Sequence, residues 1–332
     1  MEDSLMNIYD KTLEELVDKW IIEGLSDDEV NQKLEEFDSE KVLSFIVDTS
    51  SQDMFKFAKK NRKRIAKASE KANKEFLAHQ VKLWGKCFEA SEVMYKLAIE
   101  AAELYGQYVE DRVSVDQKEP KKYTYLALQS IHGRACQQFA EVLCLLRGGF
   151  ADAAHARWRS MYELCCTAEF IKRNGEDIAI KYIEQIETED KPYAWIKESK
   201  AYKSANKPRL TFDFIQETCD FVNEELRKQY KLACLVHHAS PQGTFKRLSN
   251  GEPRNIIPAG SSDYGIAMPA ESAAYCLQLA TTLFLTIHPC LDGIARCRFL
   301  HMWFIQIQSV YHEAHEKYFG ELDKKQSAED SL

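Results

Sequence analysis

Several residue groups in this chain combine types and spacings that can do chemistry. Arg159 and Glu163 stand four apart in the run from Ala151 to Lys172, so a helix puts them on one face. A guanidinium held by a carboxylate can grip a phosphate through paired N–H donors. On an exposed face the same spacing is an ordinary salt bridge; in a dry core it is a poor stability device. His237 and His238 close an apolar run that begins at Tyr230 and ends at Ser240-Pro241. Imidazole exchanges protons near neutral pH, which suits a general base, and its cation suits a helix C-terminus. Bonding to backbone carbonyls is the structural alternative. Arg296 and His301 form an Arg-x4-His spacing in an apolar stretch, where His301 also reads as a packed core residue.

Two further groups have chemistry open to them. His312 and His315, three apart, have a spacing that can ligate a metal, but they lack the HExxH pattern and a third ligand. A surface helix with two histidines is the expected reading, and no metal is expected. Lys60, Arg62, Lys63 and Arg64 belong to a run of nine cations from Lys56 to Lys74. Such a run can contact phosphates or simply form a solvated helix face. No dinucleotide, P-loop, nucleophile-elbow or kinase motif occurs, so no cofactor is expected.

These residues need a helical framework. None of the eight prolines precedes Pro120, and the chain before it is rich in residues that favour helix. Residues 8 to 50 read as short helices. Thr12–Glu15 and Ser26–Glu29 match the capping-box pattern, and Gly24 suits a helix end. Apolar positions then recur at helical spacing from Phe76 to Tyr105. Asp111 to Lys122 reads as a loop. Tyr123–Arg147 and Ala151–Lys172, joined at Gly148-Gly149, predict an αα-hairpin. Helices are expected over Glu176–Glu187, Ala194–Ala205, Thr211–Val236 and Ala270–Tyr318, the last broken near Pro289 and Gly293. Ser240 to Pro269 reads as a long loop, and the tail from Asp323 as polar and frayed. The fold class is therefore all-α, a multi-helix bundle of long antiparallel helices. Its expected parts are acidic short helices over 1–53, a basic-to-amphipathic long helix and loop over 54–120, a bundle over 121–320, and a polar tail over 321–332.

Composition narrows the function classes. A net charge of −8 argues against wholesale coating of nucleic acid while allowing a local basic site. Ten cysteines without a CxxC pair support neither a zinc knuckle nor a thioredoxin-like motif, and a reducing cytoplasm is expected. The acidic start, MEDSLMNIYD, lacks the apolar core of a secretory signal. Ser272 to Leu291 carries no charged residue, long enough to span a bilayer, but Gln278, His288 and Pro289 interrupt it. A buried central helix, with no membrane contact, is expected.

From about Leu126 to Ser240 the chain resembles a family of mostly prokaryotic proteins known as domain of unknown function 5677. Leu145–Glu163 (LLRGGFADAAHARWRSMYE) carries the small-residue turn, the Ala-rich start and the Arg-x3-Glu pair at Arg159 and Glu163. Tyr230, His237 and Ser240 match the later aromatic-x6-His and Ser. That family is distantly similar to HEPN proteins, helical bundles that include dimeric ribonucleases of prokaryotic toxin and anti-phage systems. Tyr230 stands where their Arg-x4–6-His signature has arginine. The resemblance implies metal-independent RNA cleavage by a homodimer. His237 or His301 would be the base, Arg159 or Arg296 the phosphate-stabilising cation, and Glu163 its orienting carboxylate. Tyr230, His238, Ser240 and the Lys60–Arg64 cations would contact RNA. Two alternatives stand beside it: a non-catalytic helical sensor or scaffold in a defence complex with a partner protein, and a module binding a nucleotide or other small anion.

Overall fold

The computed structural model describes residues 5–36, 38–188, 190–206, 208–237, 240–245 and 259–329. Among them there are only helices and connections. In chain order these are α1 (Leu5–Ile22), α2 (Asp27–Glu35), α3 (Ser39–Arg112), α4 (Val115–Lys118), α5 (Lys122–Arg147), α6 (Ala151–Asn174) and α7 (Glu176–Glu184). There follow α8 (Lys200–Ser204), α9 (Phe212–Glu217), α10 (Glu224–His237), α11 (Pro241–Phe245), α12 (Ala267–Leu285) and α13 (Leu291–Glu329). The chain divides into two compact units, Met1–Glu75 and Phe76–Leu332.

In the first unit, Gly24 takes φ 87° and ends α1. Leu25 N–H reaches Trp20 O at 3.2 Å and Gly24 N–H reaches Ile21 O at 3.0 Å, the two bonds of a Schellman cap. The Ser26–Glu29 pattern works as read: Glu29 Oε2 accepts from the Ser26 amide and hydroxyl, both at 2.8 Å. Thr12–Glu15 starts nothing, because α1 runs through it. The long helix begins at Ser39, so the expected limit at 53/54 falls inside α3.

The second unit is built on the α5/α6 hairpin, with α12 packed on both helices, α13 on α12, α10 on α6 and α7 on α5. The C-terminal half of α3 lies along α13, where Trp303 Nε1 donates to Ala90 O at 2.9 Å and Ser91 Oγ meets Tyr311 Oη at 3.1 Å. Trp84, Trp158, Tyr162, Tyr311, Phe139, Phe170 and Phe284 are fully buried in its core. Burial of this much apolar area is the main force holding the helices together. Gly149, at φ 77°, closes the hairpin turn with Phe150 N–H on Leu145 O and its own N–H on Leu146 O. Glu176 caps α5 from another helix: its carboxylate accepts from the amides of Tyr123 (2.6 Å) and Thr124 (3.0 Å) and from the Thr124 hydroxyl (2.8 Å). Lys172 Nζ donates to Leu283 O (3.1 Å) and Lys121 Nζ to Ile287 O (2.8 Å), in and just past the last turn of α12, where cations are favoured.

The structure corrects several expected elements. Thr211–Val236 is two helices. Thr218 Oγ1 turns back to Ile215 O at 2.8 Å, and Asn223 Oδ1 starts α10 by accepting from Leu226 N–H at 2.9 Å. Ala194–Ala205 is a 3₁₀ turn, Ala194–Glu198, followed by α8, with Ser199 capping at the junction. The 111–122 loop contains α4 and a further 3₁₀ turn. The expected Ser240–Pro269 loop includes α11 and the start of α12 at Ala267; residues 246–258 lie outside the described residues. The tail is helical as far as Glu329, because Asp323 is held by Tyr264 Oη at 2.5 Å and His315 Nε2 at 2.7 Å. The break near Pro289 falls between α12 and α13 as expected. Among the described residues no helix is long and apolar enough to cross a membrane.

Candidate functional site

Arg159 and Glu163 face α10. Arg159 Nη2 lies 2.9 Å from Glu163 Oε1, and the two side chains are 22% and 29% exposed. They are therefore neither a solvated surface pair nor sealed in the core. The same Glu163 oxygen accepts the Tyr230 hydroxyl at 2.8 Å. The guanidinium carbon of Arg159 stands 5.6 Å from the Tyr230 ring centroid, within cation–π range. Burial works against the charge on Arg159, but Tyr230 and Glu163 outweigh it and hold the guanidinium protonated. Burial raises the Tyr230 phenol well above its ordinary range, so it stays a donor. Arg159 Nε is buried without an acceptor. A donor left unmatched is costly in a core, and its usual explanation is a ligand, a water or strain.

Neighbouring groups complete the cluster. Burial raises the Cys234 thiol, while the charge of Arg159 pulls it back. Burial raises Tyr193 too, with Glu163 and Arg159 acting on it in opposite senses. One turn before Arg159, His155 is fully buried, stacks on Trp158 at 5.0 Å and places Nε2 3.3 Å from Gln229 O. His155, Arg159 and Glu163 thus form one stripe of α6 against Gln229 and Tyr230 of α10. No motif or spacing in the sequence marks Tyr193 or Cys234. The four-residue step back from Arg159 was the one available signal for His155.

The remaining candidates fall in different places. His237 ends α10, where the helical period puts position 237 on the stripe of Tyr230 and Cys234; its side chain lies outside the described residues. His238 lies outside the described residues. Ser240 starts α11: its Oγ accepts from Gly243 N–H and donates to Leu235 O, both at 2.9 Å. Arg296 and His301 are on α13, which packs on α12. Among the described residues neither one shares a hydrogen bond or ion pair with Arg159 or Glu163. His301 is exposed, not packed in the core. Lys60, Arg62, Lys63 and Arg64 are exposed along α3 in the first unit. His315 is engaged by Asp323 and sits between the rings of Trp84, Tyr264 and Phe319, while His312 is exposed. Among the described residues no group of three or more His, Cys, Asp or Glu can hold a metal ion.

The arrangement is a positively charged donor, oriented by a carboxylate that is itself fixed by a phenol, at the junction of two helices. It can offer N–H groups to an anion. No curated protein and no solved structure matches the chain. Residues 125–249, from α5 through the Arg159–Glu163–Tyr230 cluster to the segment after α11, match the model of one family, the Family of unknown function (DUF5677).

Proposed function

We propose that this protein is a metal-independent, RNA-cleaving effector of prokaryotic defence, HEPN-like in kind and working as a homodimer. The observation that carries the reading is the held guanidinium of Arg159: partly exposed, fixed through Glu163 and Tyr230, with one buried donor unspent. His237, on the same α10 stripe, takes the proton from a ribose 2′-OH. The resulting alkoxide attacks the adjacent phosphorus, and the P–O5′ bond breaks. A 2′,3′-cyclic phosphate forms, and water protonates the released 5′ oxygen. Arg159 stabilises the negative charge that builds on the phosphorane oxygens, which is worth most in a partly dehydrated site. The exposed cations of α3 raise the local concentration of RNA.

A second reading is favoured by the double engagement of one Glu163 oxygen. Glu163 Oε1 accepts from Tyr230 and ion-pairs with Arg159, so the trio also works as a polar brace between α6 and α10 in a non-catalytic scaffold.

Incubating the purified protein with total RNA in EDTA separates the two. The nuclease reading expects cleavage that falls at least about 100-fold in Arg159→Ala and in His237→Ala. His301→Ala, on α13, should cleave like the parent. An inactive parent protein whose melting temperature drops in Arg159→Ala would overturn the nuclease and establish the brace.

A further inference from the structure

From residue 51 to 75, α3 is exposed on every side except at the half-buried Asn61. A helix without tertiary packing is marginal in water, and exposed pairs such as Lys74–Glu70 add little. The stretch is also not uniformly polar. Apolar and small residues, interrupted only by Asn61, recur every three or four positions from Leu43 to Ala72, which on a regular helix is one straight stripe. Its large members are uncovered: Leu43 is 37% exposed, Val47 48%, Met54 60% and Ile65 51%.

We propose that this stripe joins two copies of the chain, with α3 lying antiparallel on α3 about a two-fold axis between Phe57 and Ala58. The proposal names the surface of the homodimer inferred above and does not depend on cleavage. Two independent features select a second copy and its direction. The first is side-chain size. An antiparallel pair centred there sets Leu43 against Ala72, Val47 against Ala68 and Phe57 against Ala58. Ile65, the large residue of the C-terminal half, meets Ser50, the small residue of the N-terminal half. Large against small in successive layers is how helices interdigitate, and reciprocal pairing is what a two-fold interface requires. A parallel pair would instead stack leucine on leucine and alanine on alanine.

The second feature is charge. Asp38 to Phe55 holds four anions and one cation, whereas Lys56 to Lys74 holds nine cations and one anion. Antiparallel pairing lays the acidic half of each helix along the basic half of the other; parallel pairing sets like against like. Asp53, beside the stripe, then comes to the level of Lys60 and Arg64 of the second copy, in the positions where charge pairs choose partner and direction. Lys56, Lys63, Lys67 and Lys74 lie on the opposite face and stay in water. Residues 43–72 span about 45 Å of helix, and the stripe with its flanks offers about 20 residues a side, enough for a standard-sized interface.

Sedimentation equilibrium of the full chain tests this. A dimer is expected at micromolar concentration, with dissociation rising at least about tenfold in Ile65→Glu and in Asp53→Lys. Both residues are exposed, and the folding of the second unit, followed by its own thermal transition, should not change. Under glutathione-buffered oxidation, the Leu43→Cys/Ala72→Cys variant should give a crosslinked dimer, and Leu43→Cys alone should not. A monomeric parent chain would overturn both the surface and the homodimer. A dimer indifferent to Ile65→Glu would overturn the surface alone. Crosslinking of Leu43→Cys by itself would overturn the antiparallel direction. RNA cleavage, measured separately, bears on none of these outcomes.

Discussion

Tyr230 donates to the Glu163 oxygen that also forms the ion pair with Arg159, at 2.8 Å and 2.9 Å respectively. The phenol therefore fixes the carboxylate that fixes the guanidinium, and α10 controls the aim of a charge carried on α6. Tyr230→Phe keeps the ring beside Arg159 and removes only the hydroxyl. The variant should lose roughly 1.5–3 kcal/mol of stability, the usual worth of a hydrogen bond to a charged group. Any cleavage should fall about tenfold, less than in Arg159→Ala, because the cation remains and only its orientation loosens. Urea unfolding and RNA cleavage measured on one preparation check both. Unchanged stability would show that the phenol leaves Glu163 in solution.

Much of this framework was legible because it depends on local chemistry. The Ser26–Glu29 cap, the Gly148-Gly149 turn and the break near Pro289 follow from hydrogen-bond supply and allowed φ. Arg159 and Glu163 were legible as a pair from their spacing alone. Tertiary terms were not legible. Glu176 caps α5 from 52 residues away in sequence, and nothing near Tyr123 announces it. The break after Glu217 depends on side chains bonding back to Ile215 O, which competes with helix only in context. The partner of Glu163 was open for the same reason: Tyr230 was named, but its contact with Glu163 spans two helices. The four-residue offset of His155 from Arg159 was visible, yet an apolar helix face gives no sign of whether a histidine is buried.

Gly149 is a second fixed point. At φ 77°, an added Cβ would lie 2.5 Å from Phe76 Cζ and 2.7 Å from Ser262 O. Backbone strain and a backbone clash then act together, and the Ser262 N–H bond to Gly149 O (2.9 Å) ties the turn down, limiting relief. Gly149→Ala should cost at least about 2–3 kcal/mol. Gly133, in the middle of α5, has nothing within 4 Å of its added Cβ. Gly133→Ala should stabilise by about 0.5–1 kcal/mol through helix propensity. Equilibrium denaturation of the two variants side by side is the check; equal effects would refute the geometric account of the turn.

The pH dependence of stability follows from two histidines outside any catalytic proposal. Burial lowers both His132 and His155 from 6.5 to about 4. In the unfolded chain each binds a proton as pH falls through 6.5; in the folded chain each stays neutral until about pH 4. The unfolded state therefore holds more protons across that window, and stability declines as pH falls through it. Each histidine contributes on the order of 3 kcal/mol, fully present above pH 6.5 and lost by about pH 4. Glu271 works in the opposite sense. Burial raises its carboxyl to about 7, opposed by His312 and His315, so its contribution fades as pH rises from 4.5 to 7. Two groups against one leave a net acid limb. His155→Gln should flatten that limb by about one proton in a plot of unfolding free energy against pH, and Glu271→Gln should steepen it. An acid limb unchanged in His155→Gln would mean that this imidazole accepts its proton without unfolding, and that burial does not keep it neutral.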